Sequence, residues 1–441
     1  MSIDATISEA AEPHKSQVAG LYDVPKLPRF YPSSRTQEKR SPALMIHLFI
    51  NSLAASAGGG LTYIRNVIPQ LAALAGVQVT VATSARCRAE LSPHENIDYL
   101  EMDIPPARRW WYEQRMLPDV IRKSGADVLL SAGNFGLRRS PVRQILLSRN
   151  SIYTSEDFFR DLRSRGEYRM WLDTRARAVL AKKSIEWADI TVAPSKAFAD
   201  ELERWTGRRI SVIYHGFDRP AFTQDTAPLS GEVRAKLESA DQSFKILFVS
   251  HYNYYRNFET LIKSLPLLRK RLAGRTVRLL LTCNLAAGTN PGAYRPEEAA
   301  RLIRQLDVSD MVVELGTIPY QKLHQLYARS DVYVTPAYTE TFAHPLVEAM
   351  SSGVPTVVSD IAVHREICGD SALYFQRFSP HELMERVAEV AEQGDKRKSM
   401  IATGLARANH FSWKTHVEQI VQMSQKLTGG GVRPPDSLAA L

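Results

Sequence analysis

The chain has 441 residues, 44% of them hydrophobic and 23% charged, with a net charge of +9. Such a length exceeds what one core organises and implies two domains, while the composition is globular and holds no apolar run of about 18 residues to cross a membrane. Three scattered cysteines, Cys87, Cys283 and Cys368, exclude a disulfide framework and a zinc site and suggest a reducing compartment, and the opening residues lack the basic-then-apolar pattern of a secretory signal.

Residues 1–42 are polar and without periodicity, so they are expected to form a disordered tail. Ala43–Ile50 is a continuous apolar run, the mark of a strand buried on both faces. Gly58-Gly59-Gly60 follows, and helical periodicity begins at Leu61. Val77–Ala82 and Ile97–Leu100 read as strands, Glu113–Lys123 as an amphipathic helix, and Asp127–Leu130 and Gln144–Leu147 as further strands. A long basic helical stretch over 155–187 precedes the unit Ile190–Ala193, Ser195–Leu202, Ile210–Ile213. Strands alternating with helices imply a parallel sheet. Residues 218–242, rich in Pro, Gly, Ser and charge, are expected to be a linker. The pattern then restarts with strands at Lys245–Val249, Val277–Thr282, Val312–Leu315, Asp331–Thr335 and Val354–Asp360. Helices over Phe258–Leu272, Pro296–Leu306 and Tyr320–Arg329 separate them, and helices over Pro380–Gly394, Asp395–Ala408 and Val417–Lys426 follow. The expected division is a tail (1–42), a first domain (43–217), the linker (218–242), a second domain (243–410), a last helix (411–427) and a flexible tail (428–441).

The richest stretch runs from Glu340 through Phe342, Ala343, His344 and Pro345 to Glu348, between two of these strands. Pro345 suits a first helical turn, where its fixed φ and missing N–H cost nothing, and Gly353 suits the helix end. Glu340 then lies in the loop above a strand's carboxyl end, and Glu348 about one turn into the helix. Between them the N–H groups of Phe342, Ala343 and His344 point out of the helix start, a terminus with partial positive charge that binds phosphate. A phosphate seat flanked by two carboxylates suits a ligand with hydroxyls at both ends and phosphates between, a nucleotide-sugar. Two Glu at this spacing also occur on ordinary surface helices; the strand–loop–helix–strand setting favours the functional reading.

Glu340-x7-Glu348, with Phe342, Pro345, Ala349-Met350, Gly353 and Pro355 in place, resembles the E-x7-E signature of retaining glycosyltransferases with the GT-B fold. It is most similar to glycosyltransferase family 4. The resemblance covers about 43–427. It implies an α/β protein of two Rossmann-like domains facing each other across a cleft, acceptor side first and donor side second, with the last helix crossing back onto the first domain. It also implies that Glu348 accepts hydrogen bonds from the ribose and that Glu340 contacts the transferred sugar, tasks that need no shifted pKa. Retention would follow from front-face substitution, in which the leaving diphosphate helps deprotonate the acceptor. Double displacement by Glu340 is the alternative.

After the first strand of the second domain the family places an Arg and a Lys five residues apart to neutralise the donor diphosphate; the matching residues here are His251 and Arg256. Arg256 keeps the charge and can hold phosphate oxygens in a bidentate manner. His251 departs from the pattern and offers a hydrogen bond when neutral, or a charge if the diphosphate keeps it protonated. Gly59 and Gly60 match the family's Gly-rich loop, whose N–H groups approach an anion closely, a loose loop being the alternative. Gly316 and Ile318 match the segment that lays main chain beside the donor base. His215 replaces the usual Asn of an Asn-Gly-x-Asp turn and reads as structural. Asn150 stands where the family often has a His, which makes it the acceptor-side candidate, turn capping being the alternative. No Asp-x-Asp pair ends a strand and no His/Cys cluster has ligand spacing, so no metal or other cofactor is expected.

Arg108-Arg109-Trp110-Trp111-Tyr112 joins bases to aromatics, and Arg160–Lys183 adds eight Lys and Arg. Trp and Tyr beside cations favour an anionic membrane surface, core Trp with solvated charge being the alternative. No nucleic-acid-binding module accompanies the charge, so nucleic acid is not an expected partner. The expectation is a retaining, metal-independent enzyme that moves a hexose from a UDP- or GDP-sugar to a glycan or polyprenyl-lipid-linked acceptor in envelope or exopolysaccharide assembly. It would be cytoplasmic, or peripheral at the inner face of the cytoplasmic membrane. The alternative is a catalytically weak scaffold that binds nucleotide-sugar, which the departures at His251 and Asn150 keep open.

Overall fold

The computed structural model describes residues 29–31, 46–55, 58–289 and 292–429. Apolar runs dictate its two sheets. Every residue of β2 (Ile46–Asn51) is buried, because helices cover a parallel sheet on both faces. The first sheet also holds β1 (Arg29–Tyr31), β3 (Val77–Thr83), β4 (Ile97–Glu101), β5 (Val128–Ser131), β6 (Arg143–Leu147), β7 (Ile190–Ala193) and β8 (Ser211–Val212). Their order is β1-β4-β3-β2-β5-β6-β7-β8, parallel from β4 to β8, with β1 antiparallel on the edge. The second sheet holds β9 (Phe244–Phe248), β10 (Val277–Leu281), β11 (Val312–Glu314), β12 (Val332–Thr335), β13 (Thr356–Ser359) and β14 (Ala372–Phe375). Its order is β11-β10-β9-β12-β13-β14, all parallel.

Several expectations need correction. Within the 1–42 segment, Arg29–Tyr31 is no loose tail: its backbone pairs with Tyr99–Glu101, an edge that offers unpaired N–H and C=O groups to any strand in reach. The remainder of that segment, and the final tail beyond Gly429, lie outside the described residues. The 218–242 linker is structured. Asp218 and Ser230 cap short helices at Arg219–Phe222 and Gly231–Glu238, and Phe222, Leu229, Val233 and Leu237 are buried with residues of both domains. Its apolar residues serve two short helices, so no single stripe marks them. The basic stretch 155–187 is two helices, Glu156–Ser164 and Tyr168–Trp187, divided where Gly166 takes a φ of +70°.

Two elements tie the domains together. Phe158 and Leu162, on the first of those helices, pack into the second domain's core beside Phe244, Ile246 and Leu261. Arg165 at its end ion-pairs with Asp161 at 2.7 Å and, in the second domain, with Glu259 at 2.9 Å and Glu298 at 3.0 Å. At the other tie, the helix Trp413–Thr428 buries Trp413, Val417, Ile420 and Val421 in the first domain's core. Gly216 makes room for it: a Cβ there would lie 1.9 Å from the Trp413 nitrogen. Among the described residues no helix is long and apolar enough to cross a membrane.

Candidate active site

Open parallel sheets bind ligands at the carboxyl ends of their strands, where the strand order reverses. In the second sheet that point lies between β9 and β12. The loop after β9 carries His251 and Arg256, and the loop after β12 carries Glu340. Arg256 Nη1 and Glu340 Oε1 form an ion pair, so two residues 84 positions apart share one place. Glu340 is 9% exposed and the Arg256 Nε has no hydrogen-bond partner. His251 is half-buried, its Nδ1 is likewise without a partner, and burial, then the charge of Arg256, holds its pKa below the ordinary imidazole value. It is therefore neutral at pH 7, which leaves it a hydrogen-bonding role.

The helix His344–Ser351 starts from Ala343, whose φ of +62° is left-handed and strained for a residue with a Cβ. The Phe342 ring is buried against His215, His344 and Phe411 and fixes the loop in place. From the first domain, Ser195 Oγ donates to the Thr341 carbonyl at 2.7 Å. One turn into the helix, Glu348 is 3% exposed and accepts from the Tyr327 hydroxyl at 2.9 Å. Burial pushes its carboxyl up to about 7, with the Tyr327 bond opposing. The ribose contact implied by the resemblance needs no shifted pKa, yet Glu348 has one, because the helix turns this carboxylate into core rather than water.

Gly316 adopts φ +77° beside the Asn284 side chain, and Ile318 packs against the same core as Phe342. Gly59 and Gly60 form no loose loop but the first turn of the helix Gly58–Ala72, where a Cβ on Gly60 would press the Ala55 backbone at 3.2 Å. The Asn150 side chain accepts from the Ile152 N–H at 3.3 Å and caps the turn Ser151–Tyr153, the alternative left open by the sequence.

The residue before it was missed. Arg149 follows β6, and its Nη1 donates to the Gly59 carbonyl at 3.0 Å and its Nη2 to the Ala132 carbonyl at 2.6 Å. Those carbonyls lie beyond β2 and β5, between which the order of the first sheet reverses. The guanidinium lies 4.7 Å from the Tyr63 ring, and burial lowers its pKa to about 10. A cation directly after a buried strand was the available signal; its partners, distant in sequence, were not.

Beside Tyr63 lies an imidazole cluster. Both ring nitrogens of the buried His215 lack a hydrogen-bond partner, and its ring is 5.0 Å from His344, 5.4 Å from Trp413 and 5.5 Å from His416. His416 shares hydrogen bonds with the Tyr63 hydroxyl at 3.0 Å and the Tyr214 carbonyl at 2.8 Å. Burial holds His344 near 3 and His416 near 4, and lowers His215 well below the usual range. Among the described residues no group of three or more His, Cys, Asp or Glu is placed to hold a metal ion.

Trp110 and Trp111 are 46% and 55% exposed on the helix Pro106–Arg115, which rules out the core reading for them. Tyr168, Leu172 and Val179 are exposed along Tyr168–Trp187, together with Arg169, Arg175 and Lys183. Arg165 of that basic stretch belongs instead to the interdomain ion pairs.

Comparison with known proteins gives two family matches, Glycosyltransferase Family 4 over residues 57–219 and Glycosyl transferases group 1 over 230–407. The D-inositol 3-phosphate glycosyltransferase of Corynebacterium aurimucosum is 26% identical over 256 residues, covering 56% of this chain and 59% of that protein. That of Nocardia farcinica is 25% identical over 252 residues, 56% of this chain and 54% of its own length, so the chain spans under two thirds of either relative. The O-antigen chain mannosyltransferase B of Escherichia coli is 33% identical over 107 residues, 24% of this chain and 28% of that protein. Among solved structures, the sucrose-phosphate synthase of Thermosynechococcus elongatus superposes with a TM-score of 0.66 at 18% identity, covering 88% of this chain and 100% of that one. Anabaena Alr3699/HepE, solved with UDP-glucose, gives 0.64 at 17% identity, covering 86% and 100%. At these identities the likeness is one of fold.

Proposed function

Because the chain belongs to glycosyltransferase family 4, the glycosyl transferases group 1, and has the GT-B fold, we propose that it transfers a hexose from a nucleotide-diphosphate sugar with retention of configuration and without a metal. The observation that carries this reading is the meeting of Arg256 and Glu340 at the switch point of the second sheet, beside the helix that bears Glu348.

In this reading Glu348 accepts from the donor ribose, and Glu340 orients hydroxyls of the transferred sugar. The N–H groups of 342–344 and the unpartnered Nε of Arg256 receive the diphosphate, whose developing charge they stabilise as the glycosidic bond breaks. His251 donates one further hydrogen bond. The departing phosphate oxygen takes the acceptor's proton. The donor would be UDP- or GDP-linked and the acceptor a glycan or polyprenyl-lipid-linked sugar. The exposed Trp110 and Trp111 among Arg108, Arg109 and Arg115 support contact with an anionic membrane from the cytoplasmic side. One observation favours a scaffold that binds donor without turnover: Glu340 already neutralises Arg256, and His251 is neutral.

The test is a panel of UDP- and GDP-sugars, screened by thermal shift and then for transfer in EDTA. One base raising the unfolding midpoint, with transfer persisting in chelator, is the expected result. Transfer that EDTA abolishes and Mn²⁺ restores would sink the metal-free mechanism, binding without any transfer would establish the scaffold, and no binding to either base would remove the donor site.

A further inference from the structure

A nucleotide-sugar brings two phosphates, and the second domain meets them with little net side-chain charge. Arg256 is paired with Glu340, and His251 is neutral. The helix start at Ala343 offers about half a positive charge. The charge missing from this side is present on the other.

We propose that Arg149, reaching from the first domain, supplies the second cation of the donor diphosphate seat, so that the phosphates are clamped between the two domains. This rests on the donor reading above. Three observations carry it. First, Arg149 is positioned rather than loose. Its two bonds to the Gly59 and Ala132 carbonyls hold it over the point where the first sheet reverses its order, while its Nε keeps no partner. Second, it sits among groups that do not neutralise it. Its guanidinium lies against the Tyr63 ring, and the titratable groups around the neighbouring His215 are the neutral His344 and His416, with no carboxylate among them. Third, ring contacts lead from it to the helix start: Tyr63, 4.7 Å from its guanidinium, lies 5.3 Å from the His215 ring, which lies 5.0 Å from His344, the first residue of the helix that bears Glu348. Burial lowers the Arg149 pKa yet leaves it a cation at pH 7, the direction expected where no counter-charge is near. An anion between Arg149 and the helix start supplies one. The buried and unpartnered His215 ring, 5.0 Å from His344, marks the same absence of counter-charge.

A cation from the domain opposite the nucleoside has a consequence. Affinity gained from the phosphates alone depends on closure of the cleft, whereas affinity for the nucleoside does not.

Calorimetry with UDP, GDP, uridine and guanosine tests this on the full chain, with three variants. Arg149→Gln keeps a donor for the Gly59 carbonyl and removes the charge. Arg149→Lys keeps the charge and loses the fork. Arg149→Met removes both. The diphosphate-specific part of binding should fall on the order of 10- to 100-fold in Gln and Met and by less in Lys, with nucleoside affinity unchanged. Rescue by Gln and not by Lys makes Arg149 a structural prop and overturns the proposal. So does an equal fall for nucleoside and diphosphate, or a change confined to the KM of the acceptor. If the Met variant unfolds, the Gln–Lys contrast decides alone. The donor reading fails separately, when wild type binds neither UDP nor GDP or when Glu348→Ala leaves both unchanged. In that case inorganic pyrophosphate is the probe: binding that Arg149→Gln abolishes keeps the anion seat, and no binding by wild type overturns it.

Discussion

Arg256 and Glu340 neutralise one another at the place where the order of the second sheet reverses. Under the proposed function, a donor lying there would compete for both. Glu340 would then turn a carboxylate oxygen toward sugar hydroxyls while Arg256 released donors to phosphate. Glu340→Gln removes the ion pair and leaves Arg256 a full cation. UDP or GDP affinity is expected to hold or tighten by up to about tenfold, while turnover falls by two orders of magnitude or so. Calorimetry beside steady-state kinetics reads both. Parallel losses of affinity and turnover would remove Glu340 from the sugar end.

Under the proposed function, Glu348 would couple donor binding to pH. Its folded-state pKa of about 7 lies above the ordinary 4.5, so the native chain holds this proton more tightly than the unfolded chain does. The associated stability is complete below the ordinary value and is lost as pH rises through about 7. Glu348→Gln should therefore be the more stable protein above neutrality, by as much as about 3 kcal/mol, and the difference should close toward pH 4.5. Ribose hydroxyls donate to the carboxylate form, so wild-type nucleoside affinity should rise through pH 7 while the variant's stays flat. Urea unfolding and calorimetry across pH check the two halves of this prediction.

Sheets and carboxylates were legible in the sequence because their signals are local. Parallel strands read as apolar runs, and Glu340 and Glu348 stand on either side of one helix start. What sequence did not show depends on long-range packing. Arg149 looked like a neighbour of Asn150 until β6 placed it against Gly59, ninety positions away. The helix Glu156–Ser164 belongs to the first domain by order, yet Phe158 and Leu162 complete the core of the second. Glu348 was legible as a candidate but its titration was not: the core around it raises its pKa, and the Tyr327 hydroxyl only partly opposes the rise.

The imidazole cluster sets the acid limit. His344 and His416 titrate near 3 and 4 in the folded chain, and the buried His364 near 4, all below the ordinary 6.5. The unfolded chain binds these protons first, so stability is complete above about pH 6.5 and is lost as pH falls toward 4. Each such group costs about 2 to 3 kcal/mol by roughly pH 4.5. His344→Phe keeps a ring against Trp413 and Phe342 and should flatten this slope by one group's share. An unchanged slope in urea titrations would show that His344 is solvated and protonated in the native state.

The junction of the domains hangs on the absence of one methyl group. A Cβ on Gly216 would lie 1.9 Å from the Trp413 nitrogen and 2.3 Å from the Ser412 carbonyl carbon, both main-chain atoms that no rotamer can move. The neighbouring Phe217 N–H donates to the Phe411 carbonyl at 3.1 Å, so the two segments cannot separate without losing that bond. Gly216→Ala should cost about 3 kcal/mol or more, and the damage should be local. The helix Trp413–Thr428 is expected to lift from the first domain, with amide exchange across it accelerated while β9 to β14 stay protected. Gly231→Ala is the control, because nothing lies within 4 Å of its Cβ position at a helix start, and it should be neutral or slightly stabilising. Uniform acceleration of exchange through both sheets would instead mean that the last helix and the two domains unfold as one unit.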